Sequence, residues 1–237
     1  MPAAADLSDE NAGIQWPLPQ PWPAGHPPLR LGVMASGHGS NFEALVASCR
    51  HGPLNASVEV LVVNKPGCGA IERAERLGVS WRLLDHRRFS SREALDGALI
   101  EAFGQARVEL VVMAGWMRIV TPVLIEAFPQ RLVNIHPSLL PSFRGVDAIG
   151  QALAAGVTLA GCSAHLVTAE VDGGPILVQA AVPVCPGDDH ARLAARIQQQ
   201  EHRILPLAVA LAAERLGFRD RRAATAGRCR RAAPPAG

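Results

Sequence analysis

LRLGVMASGHGSNFEAL, residues 29–45, carries a strand, a glycine turn and the start of a helix in one short stretch. Leu29–Ser36 reads as the strand and Ser40–Cys49 as the helix, with Gly37 and Gly39 between them where the backbone must turn sharply. The same alternation continues outward. Strands are expected at 57–64, 80–84, 110–114, 132–136, 163–167 and 176–184. Helices are expected at 70–77, 91–105, 122–128, 146–155 and 189–216, the last bent at Pro206. Leu95, Leu99 and Phe103 mark the buried face of the 91–105 helix, and Leu110–Ala114 is apolar throughout, as in a strand covered on both faces. The predicted fold is α/β: a Rossmann-like, mostly parallel sheet with helices on both faces. The loop between the last two strands is too short for a crossover, so those two should form an antiparallel pair. Ligands of such sheets bind beyond the carboxyl ends of the strands, where the strand order reverses.

Composition bounds the rest. The chain has 237 residues, 49% of them hydrophobic and 19% charged, with net charge +2, enough to bury a sizeable core. No apolar run is long enough to span a membrane. Residues 1–28 hold seven prolines and net charge −3, and are expected to form an extended, poorly ordered arm. Residues 219–237 carry net charge +5 and read as a basic, disordered tail. The body, 29–218, is then neutral and forms a single domain. A neutral body, 4% aromatic content and no tyrosine argue against nucleic-acid binding. Lys65 is the only lysine, which leaves little scope for Schiff-base chemistry. Five cysteines without C-x-x-C spacing, and no secretory signal, point to buried free thiols in a reducing, cytoplasmic setting.

Three motifs carry chemistry. Ser36-Gly37-His38-Gly39-Ser40-Asn41 sets flexible backbone against a helix start, which suits a phosphate. It also reads as a tight turn with a helix cap. It is not a dinucleotide fingerprint, because Phe42 stands at the third glycine position and the next strand ends in Asn64 rather than an acid. In Asn134-Ile135-His136-Pro137, residues two apart on a strand share one side, so an amide and an imidazole stand together. An amide can hold an oxyanion and an imidazole can move a proton; an isolated histidine would more simply bond a neighbouring carbonyl. Asp172-Gly173-Gly174 is an ordinary turn sequence unless the antiparallel pair folds it over His136, where its carboxylate could orient the ring. His165, Glu170 and Asp172 lack the spacing of a metal-ligand set, so no metal is expected.

Five segments together resemble one family. They are ASGHGSNFEAL (35–45), VVNKPGCGAIERAERLGV (62–79), VVMAGWMRIVTP (111–122), LVNIHPSLLPSFRG (132–145) and HLVTAEVDGGPILVQAAVPV (165–184), with QQEHRILP (199–206) in support. They resemble the folate-dependent, single-domain phosphoribosylglycinamide formyltransferases of purine biosynthesis, over roughly residues 29–217. The resemblance implies formyl transfer from 10-formyltetrahydrofolate as co-substrate, without a metal. It implies Asn134, His136 and Asp172 as the catalytic trio, and Gly39, Ser40, Asn41 and Glu201 as contacts to the ribonucleotide. Arg92, Met117, Arg118, Ile119, Val120 and Asn134 would meet the folate. Partners would be small molecules, with no nucleic acid and no membrane, and the chain a monomer or homodimer. The chain departs from the family's usual residues at His38, Asp147, Ile149 and Ala169. Two related activities, formyltetrahydrofolate hydrolysis and methionyl-tRNA formylation, are expected to need an additional N-terminal or C-terminal domain. A non-catalytic nucleotide-binding module is the alternative from another class.

Overall fold

The computed structural model describes residues 14–16 and 27–218, and strand and helix alternate through it as the hydrophobic pattern requires. The strands are β1 (Ile14–Trp16), β2 (Leu29–Ala35), β3 (Ala56–Val63), β4 (Trp81–Leu83), β5 (Leu110–Met113), β6 (Leu132–His136), β7 (Leu159–Leu166) and β8 (Ile176–Pro183). The helices are α1 (Ser40–His51), α2 (Gly69–Leu77), α3 (Arg92–Gln105), α4 (Pro122–Ala127), α5 (Ala148–Ala154) and α6 (His190–Arg215). They form one sheet in the order β1-β8-β7-β6-β5-β2-β3-β4.

Strands β6, β5, β2, β3 and β4 are parallel. Every residue of β5 is buried, as its unbroken apolar run predicts. One face of the sheet packs on α1, α2, α5 and α6 through residues such as Phe42, Leu45, Ile197 and Val209. The other packs on α3 and α4 through Leu95, Leu99, Phe103 and Leu124. Chain order reverses between β2 and β5, which opens a crevice at their carboxyl ends.

The structure differs from the sequence reading in several places. Strand β7 begins at Leu159, four residues early, and pairs antiparallel with β6 as well as with β8. Gly161 obscures this in the sequence. It sits inside the strand because a Cβ there would run into Ala180 O of β8. Helix α5 starts at Ala148 rather than Val146, since Asp147 takes a left-handed conformation and its carboxylate accepts from Gly150 N. Within the expected N-terminal arm, Ile14–Trp16 pairs antiparallel with β8 at the sheet edge. The rest of that arm and the whole 219–237 tail lie outside the described residues. As expected, a single helix, α6, spans Pro206. Of the four cysteines among the described residues, all free, only Cys162 is fully buried; the others are half-buried. Burial nonetheless pushes the Cys49 thiol up to about 12, far from a reactive thiolate. No helix among the described residues is long and apolar enough to cross a membrane.

Candidate active site

The crevice between β2 and β5 deepens into a cavity of about 710 Å3. Its walls bring together Gly39, Ser40, Asn41, Met117, Arg118, Ile119, Val120, Asn134, His136, Asp172 and Glu201. Of the residues expected at a site, only Arg92 stands apart. It is the first residue of α3, is exposed, and is not part of the cavity lining.

The glycine loop forms part of the wall. Gly39 has φ +81, and a Cβ on it would come within 2.7 Å of Ala70 Cα and Cβ, so helix α2 seals the outside of the loop. Arg73 of α2 braces it further. Its Nε donates to His38 O at 2.9 Å, its Nη2 meets His38 Nδ1 at 2.9 Å, and it pairs with Glu43 of α1. Asn41 Nδ2 donates to Glu201 Oε2 at 2.8 Å, and Gln198 Nε2 donates to the Ser40 hydroxyl at 2.9 Å. Burial pushes the Glu201 carboxyl above the ordinary glutamate value, partly opposed by the Asn41 hydrogen bond.

The side chains of Asn134 and His136 enter the same cavity from β6. His136 is nearly buried, its Nε2 donates to Phe143 O at 2.8 Å, and its Nδ1 lies 3.4 Å from Asp172 Oδ2. Both ring nitrogens therefore face acceptors, an arrangement that the doubly protonated ring satisfies. Asp172 sits at φ +50 in the β7–β8 loop, its carboxylate also accepting from Gly145 N at 2.9 Å. Gly174 makes that loop possible, because a Cβ there would overlap Leu166 O. Burial works to raise the Asp172 carboxyl. The hydrogen bond that a protonated His165 ring donates from Nε2, 3.5 Å from Asp172 Oδ1, the Gly145 N–H and the charge of His136 outweigh it and hold the carboxyl below the ordinary aspartate value.

His165 belongs to this cluster, and sequence reading missed that role. It lies directly across from Asn134 in the β6–β7 register, so the two side chains share a face. His165 Nδ1 is 3.0 Å from Leu166 O, an acceptor only, which puts the hydrogen on Nδ1. In the neutral ring, Nε2 then accepts from Asn134 Nδ2 at 3.1 Å and fixes that amide's orientation; only the protonated ring has a second N–H to turn to Asp172 Oδ1. Asn134 Nδ2 to Asp172 Oδ1 is 3.5 Å, the outer limit of a hydrogen bond, leaving the second amide N–H able to serve a ligand. His165 opens the family-like segment 165–184, but only the antiparallel register with β6 identifies its partner.

Two polar atoms of the lining residues have unmet capacity. Asn41 Oδ1, near the glycine loop, and Arg118 Nε, in the 116–120 segment, are buried without a protein partner. Among the described residues no cluster of His, Cys, Asp and Glu has the makings of a metal site.

A doubly wound sheet with a glycine loop, an amide, an imidazole and a carboxylate converging at its switch point has the architecture of an α/β enzyme that acts on a small molecule. A family model described as formyl transferase matches residues 29–209. Phosphoribosylglycinamide formyltransferase of Escherichia coli is 40% identical over 181 residues, covering 76% of this chain and 85% of that protein. The crystal structure of glycinamide ribonucleotide transformylase 1 from Symbiobacterium toebii superposes with a TM-score of 0.77 at 46% identity, covering 79% of this chain and 88% of that one. The human trifunctional purine biosynthetic protein adenosine-3 is 39% identical over 184 residues, 78% of this chain but only 18% of its own length. This chain belongs to the formyl transferase family, among the phosphoribosylglycinamide formyltransferases.

Proposed function

We propose that this protein transfers the formyl group of 10-formyltetrahydrofolate to the amine of 5′-phosphoribosylglycinamide, acting in the cytoplasm on small molecules and without a metal. The observation that supports this most is the meeting of Asn134, His136 and Asp172 in the cavity that the glycine loop and the 116–120 segment also line. Gly39, Ser40 and Asn41 hold the 5′-phosphate on backbone N–H groups and the helix α1 dipole. Glu201, oriented by Asn41, accepts from the ribose hydroxyls. Met117, Arg118, Ile119 and Val120 form the wall against the pterin, and Arg92, beyond the rim, meets the folate tail.

10-Formyltetrahydrofolate supplies an activated formyl carbon. Asn134 Nδ2–H and His136 Nδ1–H donate to the formyl oxygen as negative charge develops on it during attack by the amine. Phe143 O, by taking Nε2–H, turns Nδ1 toward that oxygen. Asp172 supports the imidazolium, takes the proton released by the attacking amine, and passes it towards the leaving folate nitrogen through water. One C–N bond forms as the other breaks, and the proton count is conserved.

The test is an assay of the purified protein with both substrates, followed by absorbance at the folate. Formylation of the ribonucleotide, absent with water or tRNA as acceptor, is the expected result. Release of formate at the same rate without ribonucleotide would instead identify a hydrolase. Two variants probe the acceptor end. Gly39→Ala puts a side chain into left-handed backbone and against Ala70, and should raise the ribonucleotide KM by tenfold or more, on the order of a lost charge-assisted hydrogen bond, with the folate KM unchanged. Glu201→Gln should also raise the ribonucleotide KM, roughly tenfold, yet hold or raise Tm at neutral pH. The sign follows from burial: an acid whose folded value is raised penalises the native state once ionised. The Tm difference should vanish on the acid side, where Glu201 is protonated. A Tm at neutral pH clearly below wild type would contradict this.

A further inference from the structure

The apolar layer between α3, α4 and the sheet contains one carboxylate that the reaction does not use. Asp96, on α3, is 2% exposed; its helix neighbours Leu95 and Leu99, and Val120 and Leu124 on either side of its partner Thr121, belong to the apolar cluster of that layer. A buried carboxylate is unfavourable unless hydrogen-bonded. A single oxygen, Oδ2, accepts both from Thr121 N at 2.6 Å and from Thr121 Oγ1 at 2.8 Å.

We propose that Asp96 is a positioning residue that holds the carboxyl end of the folate-facing segment 116–120 in place through Thr121; the inference rests on the assignment of that segment to the folate. Thr121 directly follows the segment. A peptide's N–H and C=O point in opposite directions across one plane, so directing Thr121 N–H at Asp96 turns the Val120 carbonyl away from it. The amino end is pinned in the same manner. Ser36 Oγ accepts from Met117 N at 2.9 Å, which turns the Trp116 carbonyl, and Ser36 N donates to Gly115 O at 3.0 Å. Between the pins, Met117 and Ile119 stand 70% and 53% exposed.

Helix capping accounts for only part of what the carboxylate does. Thr121 Oγ1 caps α4 by accepting from Val123 N at 3.3 Å, a bond that needs no acid, while the Leu124 N–H of the same first turn also bonds to Asp96. A leucine at position 96 would suit the apolar layer better. What the carboxylate adds beyond its share of that cap is a fixed direction for the 120–121 peptide.

The test is calorimetric binding of tetrahydrofolate and of 5′-phosphoribosylglycinamide, with Tm, for the wild type, Asp96→Leu, Asp96→Asn and Thr121→Val. Asp96→Leu is expected to keep a Tm near wild type while tetrahydrofolate binding weakens about tenfold or more and ribonucleotide binding stays unchanged. Asp96→Asn keeps an oxygen acceptor and should recover most of the affinity. Thr121→Val removes one of the two bonds, keeps the N–H, and should lose an intermediate amount. Unchanged tetrahydrofolate affinity in Asp96→Leu overturns the proposal, as does an equal loss for both ligands that tracks a fall in Tm. A wild type that binds no tetrahydrofolate overturns the folate assignment and the proposal with it, an outcome separate from the first two. If Asp96→Leu does not fold, wild-type affinity in a folded Thr121→Val overturns it instead.

Discussion

Replacing His136 with alanine is expected to lower kcat by at least ~10²–10³, the cost typical of removing one oxyanion donor, with much smaller changes in either KM. The reason is geometric. The ring is nearly buried, and Phe143 O takes its Nε2–H, leaving Nδ1 as the nitrogen that faces the cavity and Asp172. On the proposed mechanism alanine removes both the donor to the developing oxyanion and the cation that Asp172 supports, while the glycine loop and the 116–120 segment keep their own anchors. Asn134→Ala should fall in the same range, since one N–H is lost and the other only answers His165. Steady-state kinetics with both substrates varied provide the check. Turnover near wild type in His136→Ala would falsify the assigned role.

Asp172→Asn tests the carboxylate with little change in shape. Asparagine tolerates the left-handed backbone at φ +50, so the loop should persist and the charge alone disappear. A loss of ~10²–10⁴ in kcat is expected, the usual worth of positioned acid–base catalysis. The variant should also change stability with a defined pH dependence. Asp172 is held below the 3.8 of a free aspartate, so its ionised form stabilises the native state above that value. That contribution is lost as pH falls through the lower folded value. The wild type should therefore melt above the variant at neutral pH, and the gap should close only in strong acid. A gap that is constant with pH would show that the charge of Asp172 does not stabilise the native state.

The linear reading went far where chemistry is local. Gly37 and Gly39 between an apolar run and a helix start could be read as an anion loop, because backbone freedom and the helix dipole are properties of adjacent residues. The i, i+2 spacing put Asn134 and His136 on one side of a strand for the same reason. It stopped where contacts span distance. His165 reaches Asn134 across the β6–β7 register, and Gly161 hid the start of that strand. Phe143 O approaches His136 from a loop, Asp96 meets Thr121 from another helix, and neither pairing leaves a trace in spacing. Arg92 was assigned through resemblance, and it stands outside the cavity lining.

Periodicity and turn chemistry were thus enough to specify an alternating α/β chain, its buried centre at β5, and the residue types able to bind an anion and move a proton. Those features depend on neighbours a few positions apart. Which nitrogen of His136 faces the cavity, what orients Asn134, and how far the Asp172 carboxyl is depressed were fixed only once the folded chain brought Phe143, His165 and Gly145 against them. Hydrogen-bond direction and local dielectric are set by atoms close in space, and here those atoms come from separate loops and strands.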